Sequence, residues 1–321
     1  MMNPTDLAAR ARPLAAEKFN DPRVTAKGEP RASVAFAGLT TLWVNTGTLC
    51  NITCVNCYIE SSPRNDRLVH LSAAELAERL DEAGSLGAPL REVGFTGGEP
   101  FLNRALPAML RDVLTRGLQA MVLTNAMKPM RNHAAPLLAL AAEFGPALTL
   151  RVSLDHHEAG PHDAERGAGS FAQALDGLDW LARHGVTTHV AGRAGFGDSG
   201  EATMRAGYRR LFEQHGIPID VDDPVALMLF PEMDATADVP EITADCWRIL
   251  GKSPDSMMCA SSRMLVKRRG AEKPAYVACT LLPYEPQFEM GATLAEASRP
   301  VALNHPHCAT FCVLGGAACS R

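Results

Sequence analysis

Between residue 40 and about residue 230 the chain alternates two hydrophobic periods. Apolar runs of strand length lie at 41–45, 92–96, 120–125, 148–154, 187–191 and 225–230. Between them, apolar residues recur at helical spacing. Ser72-Ala-Ala-Glu75 is a capping box, and the helix it opens carries Leu76 and Leu80 on one face. Leu106, Leu110, Val113 and Leu114 stripe the next helix. Phe171, Leu175, Leu178 and Leu181 stripe a later one that stops at His184-Gly185, and a further helix runs from about Glu201 to His215. Strand–helix alternation predicts an α/β fold, a parallel sheet with helices outside it.

After Asp234 the rhythm stops. Six of the nine cysteines fall beyond it, at Cys246, Cys259, Cys279, Cys308, Cys312 and Cys319. A hairpin is expected between Cys259 and Cys279, with Met264-Leu-Val on one arm, Gly270 near the turn and Tyr276-Val-Ala on the other. Three regions result: an extension at 1–39, the alternating region at 40–235 and a small Cys-rich α+β unit at 240–321. The 321 residues suffice for one large core plus a smaller unit. A net charge of −5 gives no electrostatic case for nucleic acid or an anionic membrane. No run approaches the ~20 apolar residues of a bilayer span, and no signal peptide is recognised. An odd cysteine count, three of them in one loop, favours metal binding in a reducing cytoplasm over disulfides.

The loop is Cys50-Asn-Ile-Thr-Cys54-Val-Asn-Cys57, which follows the first strand. An iron–sulfur cube needs four ligands, so three thiols leave one iron open to chemistry. A closed zinc site is the competing reading, though zinc sites usually supply a fourth ligand. After the second strand comes Gly97-Gly98-Glu99-Pro100. Together these two motifs resemble the radical S-adenosylmethionine enzymes. The resemblance implies a partial (β/α)6 TIM-like barrel over residues 40–235, with reactive groups at the C-terminal ends of the strands. It implies a [4Fe–4S] cluster on Cys50, Cys54 and Cys57, and S-adenosylmethionine as cofactor. Gly97, Gly98, Glu99 and Pro100 would hold the methionine amino group, glycines allowing close approach and a carboxylate suiting an ammonium. Thr124 and Asn125 end the third strand. Ser153, from an S-x-D pattern, would meet the ribose, and Arg193 the methionine carboxylate. Many relatives place an aromatic between the second and third cysteines; here Asn56 stands there, and Tyr58 would contribute from its backbone.

The tail resembles the SPASM/twitch extensions of that family, which carry auxiliary clusters. Cys259, Cys279, Cys308, Cys312 and Cys319 are the candidates for a second [4Fe–4S] cluster; zinc, with His305 and His307, is the alternative. Cys246 reads as a buried apolar thiol. The run His162-Asp-Ala-Glu-Arg166-Gly-Ala-Gly-Ser170 reads as the start of a helix, with Ser170 as N-cap and an Asp163–Arg166 ion pair. By resemblance, the protein would cleave S-adenosylmethionine to a 5′-deoxyadenosyl radical, fed by a flavodoxin or ferredoxin. The radical would abstract hydrogen from a peptide or small-molecule substrate, in a net oxidation or bond-forming modification. Asp155, His156, Glu232 and Asp234 are candidate bases, Asp155 and Glu232 foremost. A non-catalytic iron–sulfur carrier or S-adenosylmethionine sensor is the reading from another class.

Overall fold

The computed structural model describes residues 12–194, 200–232 and 234–316; Cys319 lies outside them. A two-residue strand, β1 (Ser33–Val34), precedes six parallel strands: β2 (Thr41–Asn45), β3 (Glu92–Thr96), β4 (Gln119–Thr124), β5 (Leu148–Ser153), β6 (Thr188–Arg193) and β7 (Leu227–Phe230). They pair side by side in chain order. The connections are helical: α1 (Ala73–Ser85), α2 (Leu106–Thr115), α3 (Ala134–Phe144), then α4 (Ala159–Arg166) with α5 (Ser170–Arg183), and α6 (Glu201–His215). This is the expected partial barrel, an open rather than a closed sheet.

The strand pleat divides the side chains between two faces. Leu42, Val44, Val93, Phe95, Leu150, Val152 and Val190 are wholly buried in the core they share with the helices. α1 begins as expected: Ser72 accepts from Glu75 N–H while the Glu75 carboxylate accepts from Ser72 N–H. No helix of the described residues is long and apolar enough to cross a membrane.

The tail's hairpin does not form a sheet of its own. Its hairpin, β8 (Ser262–Val266) and β9 (Ala275–Val277), joins the barrel sheet, with β8 parallel to β2 and β9 antiparallel to β8. β10 (Glu289–Gly291) completes a nine-stranded sheet. The amino-terminal segment is tied to the same region. β1 pairs antiparallel with β11 (Val301–Ala302), and Arg31 forms an ion pair with Glu241 at 2.5 Å with both side chains almost inaccessible.

Candidate functional site

The three-cysteine loop leaves β2 and the Gly-Gly turn leaves β3, so adjacent parallel strands deliver both motifs to one end of the sheet. They are hydrogen-bonded to each other there. Thr46 N–H donates to Thr96 O at 2.8 Å, Gly98 N–H to Gly47 O at 2.9 Å and Glu99 N–H to Leu49 O at 3.1 Å. The glycines are required by this contact. A Cβ on Gly97 would lie 2.4 Å from Gly47 O, at a φ of +130°, and one on Gly98 would lie 2.1 Å from Leu49 O. The close approach seen in the structure is to the base of the cysteine loop.

Cys50, Cys54 and Cys57 line one cavity with Thr96, Gly97, Gly98, Thr124, Asn125 and Ser153. Burial pushes the Cys50 thiol up to about 12 and raises that of Cys54. Ser61 N–H donates to the Cys57 sulfur at 3.2 Å. Among the described residues no three side chains stand in metal-ligand geometry; the thiols share a wall of the cavity. The donor set nevertheless fits a thiolate-bound cluster. It offers three sulfurs at one mouth, those of Cys57 and Cys50 already receiving N–H bonds, in a site whose burial disfavours free thiolates and leaves a metal to stabilise them.

Glu99 is buried. Its carboxylate accepts from Thr124 Oγ1 at 2.9 Å, Asn125 N–H at 2.9 Å and Phe101 N–H at 3.2 Å, tying the turn to the end of β4. Burial lifts its carboxyl to about 7 against the pull of these donors. Asn125 also reaches back, its amide donating to Asn51 Oδ1 at 2.9 Å.

Another wall of the cavity is built by α4, and here the expectations change. Arg166 pairs with Asp155, Nε to Oδ2 at 2.6 Å and Nη2 to Oδ1 at 2.9 Å, not with Asp163. Asp163 instead accepts from Gly169 N–H, Phe171 N–H and the Ser170 hydroxyl. The cap position of α5 is Gly169, at φ +76°, and Ser170 is the first helical residue. A left-handed residue was needed to turn from α4 into α5, which sequence spacing alone does not reveal. Glu165 and Arg166, both lining the cavity, were missed because this run read as a local helix start. The Glu165 carboxylate accepts from the Asn56 amide at 2.9 Å and from Arg193 Nη1 at 2.7 Å, and its carbonyl accepts from Val55 N–H. Arg193 also pairs with Glu232 at 2.5 Å. A polar chain thus runs from the cysteine loop through Glu165 and Arg193 to Glu232.

Burial alone would raise the Asp155 carboxyl, but Arg166 outweighs it and holds it below the usual carboxylate range. Asp155 is therefore an anchored anion. Glu232 is half-exposed at the rim. His156 is buried and turned to Glu158 N–H, and Asp234 caps its own turn at Thr236. Tyr58 is partly exposed on the cavity edge. Ser153 and Arg193 both face the cavity.

The extension supplies part of the cavity wall through Leu281 and Phe311, and the Phe311 ring stacks on that of Phe230, centroids 5.4 Å apart. In the tail, Cys308 is buried. Burial, with the Cys279 and Cys259 thiols adding to it, raises its thiol well above the ordinary value. Cys312 follows one turn later on the π-helical segment Cys308–Leu314. The His305 and His307 rings are tilted 59° to each other, centroids 4.7 Å apart, and line a second groove that reaches Cys57. Cys246 is half-buried and accepts from Thr243 N–H.

Comparison with known proteins agrees with this geometry. The model of the Radical SAM superfamily matches residues 44–204, half of the chain. The antilisterial bacteriocin subtilosin biosynthesis protein AlbA of Bacillus subtilis is 32% identical over 143 residues, 44% of this chain and 30% of that protein. The mycofactocin maturase MftC of Mycobacterium ulcerans is 29% identical over 169 residues, 49% of this chain and 43% of that one. The crystal structure of Streptococcus suis SuiB bound to S-adenosylmethionine superposes with a TM-score of 0.57 at 12% identity, over 80% of this chain and 64% of SuiB. The matches span about a third of the curated relatives' length. The cysteine loop and the Gly-Gly turn bonded together at the mouth of a parallel (β/α)6 sheet, in a chain whose matched half is that of the family, make this protein a member of the radical SAM superfamily.

Proposed function

We propose that this protein binds a [4Fe–4S] cluster through Cys50, Cys54 and Cys57, cleaves S-adenosylmethionine reductively, and takes hydrogen from an unactivated C–H bond of a peptide. The observation that carries the reading is the hydrogen-bonded apposition of the cysteine loop and the turn that begins Gly97-Gly98, whose glycines line one cavity with the three cysteines. When bound, cluster and cofactor supply a one-electron cleavage that yields an oxidising carbon radical.

The chain's own part is position and exclusion of water. Leu123, Phe230, Leu281 and Phe311 give the cavity apolar walls, which suits a species that water and stray side chains would quench. The Gly-Gly turn and the carboxylate of Glu99 would receive the methionine ammonium, and Ser153 would meet the ribose. Arg193, anchored by Glu165 and Glu232, would offer its guanidinium to the methionine carboxylate. Cys259, Cys279 and Cys308, with Cys312 or Cys319, would bind a second cluster, and Glu232 is the carboxylate best exposed to accept a proton at the rim. The peptide class rests on the relatives named for bacteriocin biosynthesis and for mycofactocin maturation.

Anaerobically reconstituted protein reduced with dithionite is expected to form 5′-deoxyadenosine without substrate, and Cys54→Ala to abolish it. Wild-type protein with a full cluster complement and no cleavage would turn the reading to the iron–sulfur carrier or sensor.

A further inference from the structure

The tip of the cysteine loop has little packing to hold it. Val55, between the second and third cysteines, is 73% exposed, and Tyr58, just after the third, is 38% exposed. Burial of apolar surface therefore contributes little to the order of this segment. Hydrogen bonds must supply it, and among the described residues those that Val55 and Asn56 send out of the loop all end on one residue. Val55 N–H donates to Glu165 O at 2.8 Å. The Asn56 amide donates to Glu165 Oε2 at 2.9 Å and to Oε1 at 3.2 Å.

Glu165 is itself well anchored. It lies in the last turn of α4. That helix is tied to the end of β5 by the Arg166–Asp155 pair at 2.6 and 2.9 Å, and by Asp155 N–H, which donates to His162 Nδ1 at 3.1 Å. The Glu165 carboxylate also accepts from Arg193 Nη1, at the end of β6, at 2.7 Å. Guanidinium–carboxylate bonds are short and strong, so the acceptor offered to Asn56 is held in place from behind. One side chain thus joins the thiol-bearing loop to two strand ends.

We propose that Glu165 is the positioning residue of the cysteine loop: through Val55 and Asn56 it clamps the Cys54–Cys57 segment to α4 and fixes where the second and third thiols stand. It rests on the reading above only in that the thiols so placed bind a cluster. The clamp depends on matched chemistry as well as shape, because one carboxylate serves the donors of both Asn56 and Arg193. Asn56→Asp would set carboxylate against carboxylate. Glu165→Gln would turn an amide's N–H groups toward those donors. Making both changes exchanges amide and carboxylate across the contact: the new amide donates to the new carboxylate, and its carbonyl still accepts from Arg193 Nη1.

The test is a cycle of Asn56→Asp, Glu165→Gln and the double variant, each in the full-length chain. The first measurement, made before a cluster is loaded, is amide hydrogen exchange over residues 51–58. Each single variant is expected to exchange there about three- to tenfold faster than wild type, the worth of one lost hydrogen bond, with exchange in β5 unchanged. The double variant should return to the wild-type rate, a rescue that a side chain merely filling space would not give. The second measurement follows iron released to a chelator by reconstituted protein carrying Cys259/Cys279/Cys308→Ala, so that the barrel cysteines alone are read; the same order of rates is expected. Wild-type exchange in both single variants, or a double variant no better than the singles, overturns the proposal. Iron released at the wild-type rate from both singles, despite faster exchange, overturns the role in placing the thiols. If Asn56→Asp does not fold, Asn56→Ala decides: faster exchange supports the clamp and a wild-type rate overturns it. An intact exchange cycle in protein that binds no iron upholds the clamp and overturns the cluster reading instead.

Discussion

Glu99 has 2% of its surface exposed and directs its carboxylate to β4, so its removal has two consequences. Glu99→Ala strips the acceptor from the buried N–H groups of Phe101 and Asn125, and each unsatisfied buried donor costs about 1–3 kcal/mol. It also removes the proposed partner of the methionine ammonium, a charge-assisted bond worth about 1.5–3 kcal/mol or roughly one to two decades in affinity. Glu99→Ala is therefore expected to lower both the melting temperature and S-adenosylmethionine affinity. Calorimetric affinity equal to wild type, with reduced stability, would assign Glu99 to the fold alone. Gly98→Ala separates a different pair of effects, because its Cβ would meet Leu49 O at 2.1 Å. Backbone cannot yield as a flexible side chain does, so an overpacking cost of about 1–3 kcal/mol is expected. Iron bound by the barrel cysteines should fall with it, while tail iron stays. Full iron loading in Gly98→Ala would show that the two loops can part without harm.

At the scale of elements, the strands were legible because buried parallel strands are short apolar runs, and β2 and β3 fall where the pattern puts them. The capping box at Ser72 and the stop of α5 were equally plain. α3 gave no stripe: Ala134-Ala-Pro-Leu-Leu-Ala-Leu-Ala-Ala-Glu-Phe144 is apolar almost all round, so periodicity has little contrast to report. The partners of α4 were misread for a different reason. Asp163 and Arg166 are correctly spaced for a helical pair, but Asp155 offers Arg166 a bidentate, buried alternative. The amino-terminal segment shows the same limit, since its patterning is weak and its order comes from distant residues. Glu241 takes bonds from Arg31 and from the N–H groups of Phe19 and Ala26. Burial would raise its carboxyl, but these donors prevail and hold it below the ordinary value. A depressed carboxylate stabilises above its unfolded pKa of about 4.3, and that share is lost as pH falls through the folded value. Glu241→Gln should cost roughly 2 kcal/mol near neutrality, between an exposed and a deeply buried pair. It should also flatten the decline in stability below about pH 4, as measured by chemical denaturation across pH. An unchanged acid slope would place the stabilisation elsewhere.

For the whole molecule, the extension is less separate than its composition suggests. The βα alternation ends with β7 at Phe230, yet β8 continues the barrel sheet beyond β2, and Leu281 and Phe311 close on the cavity. Sequence spacing could not show this, because parallel pairing between β2 and β8 joins residues more than 200 positions apart. Nor could it show that the Cys279 and Cys259 thiols both bear on the buried Cys308. The two groups of thiols, each proposed to bind a cluster, lead to a prediction about independence. Fully reconstituted protein should carry about eight irons, four for each cube. The Cys50/Cys54/Cys57→Ala variant should retain about half, with a brown chromophore, and Cys259/Cys279/Cys308→Ala should retain the other half and still form 5′-deoxyadenosine. Both expectations follow from geometry, because the two thiol groups stand on different loops and no cysteine serves both. Iron and zinc determination on each variant decides the matter. One zinc and no colour in the first variant would make the tail a structural zinc site. Cys259, Cys279 and Cys308 would then brace the wall formed by Leu281 and Phe311, leaving the barrel cysteines as the protein's redox centre.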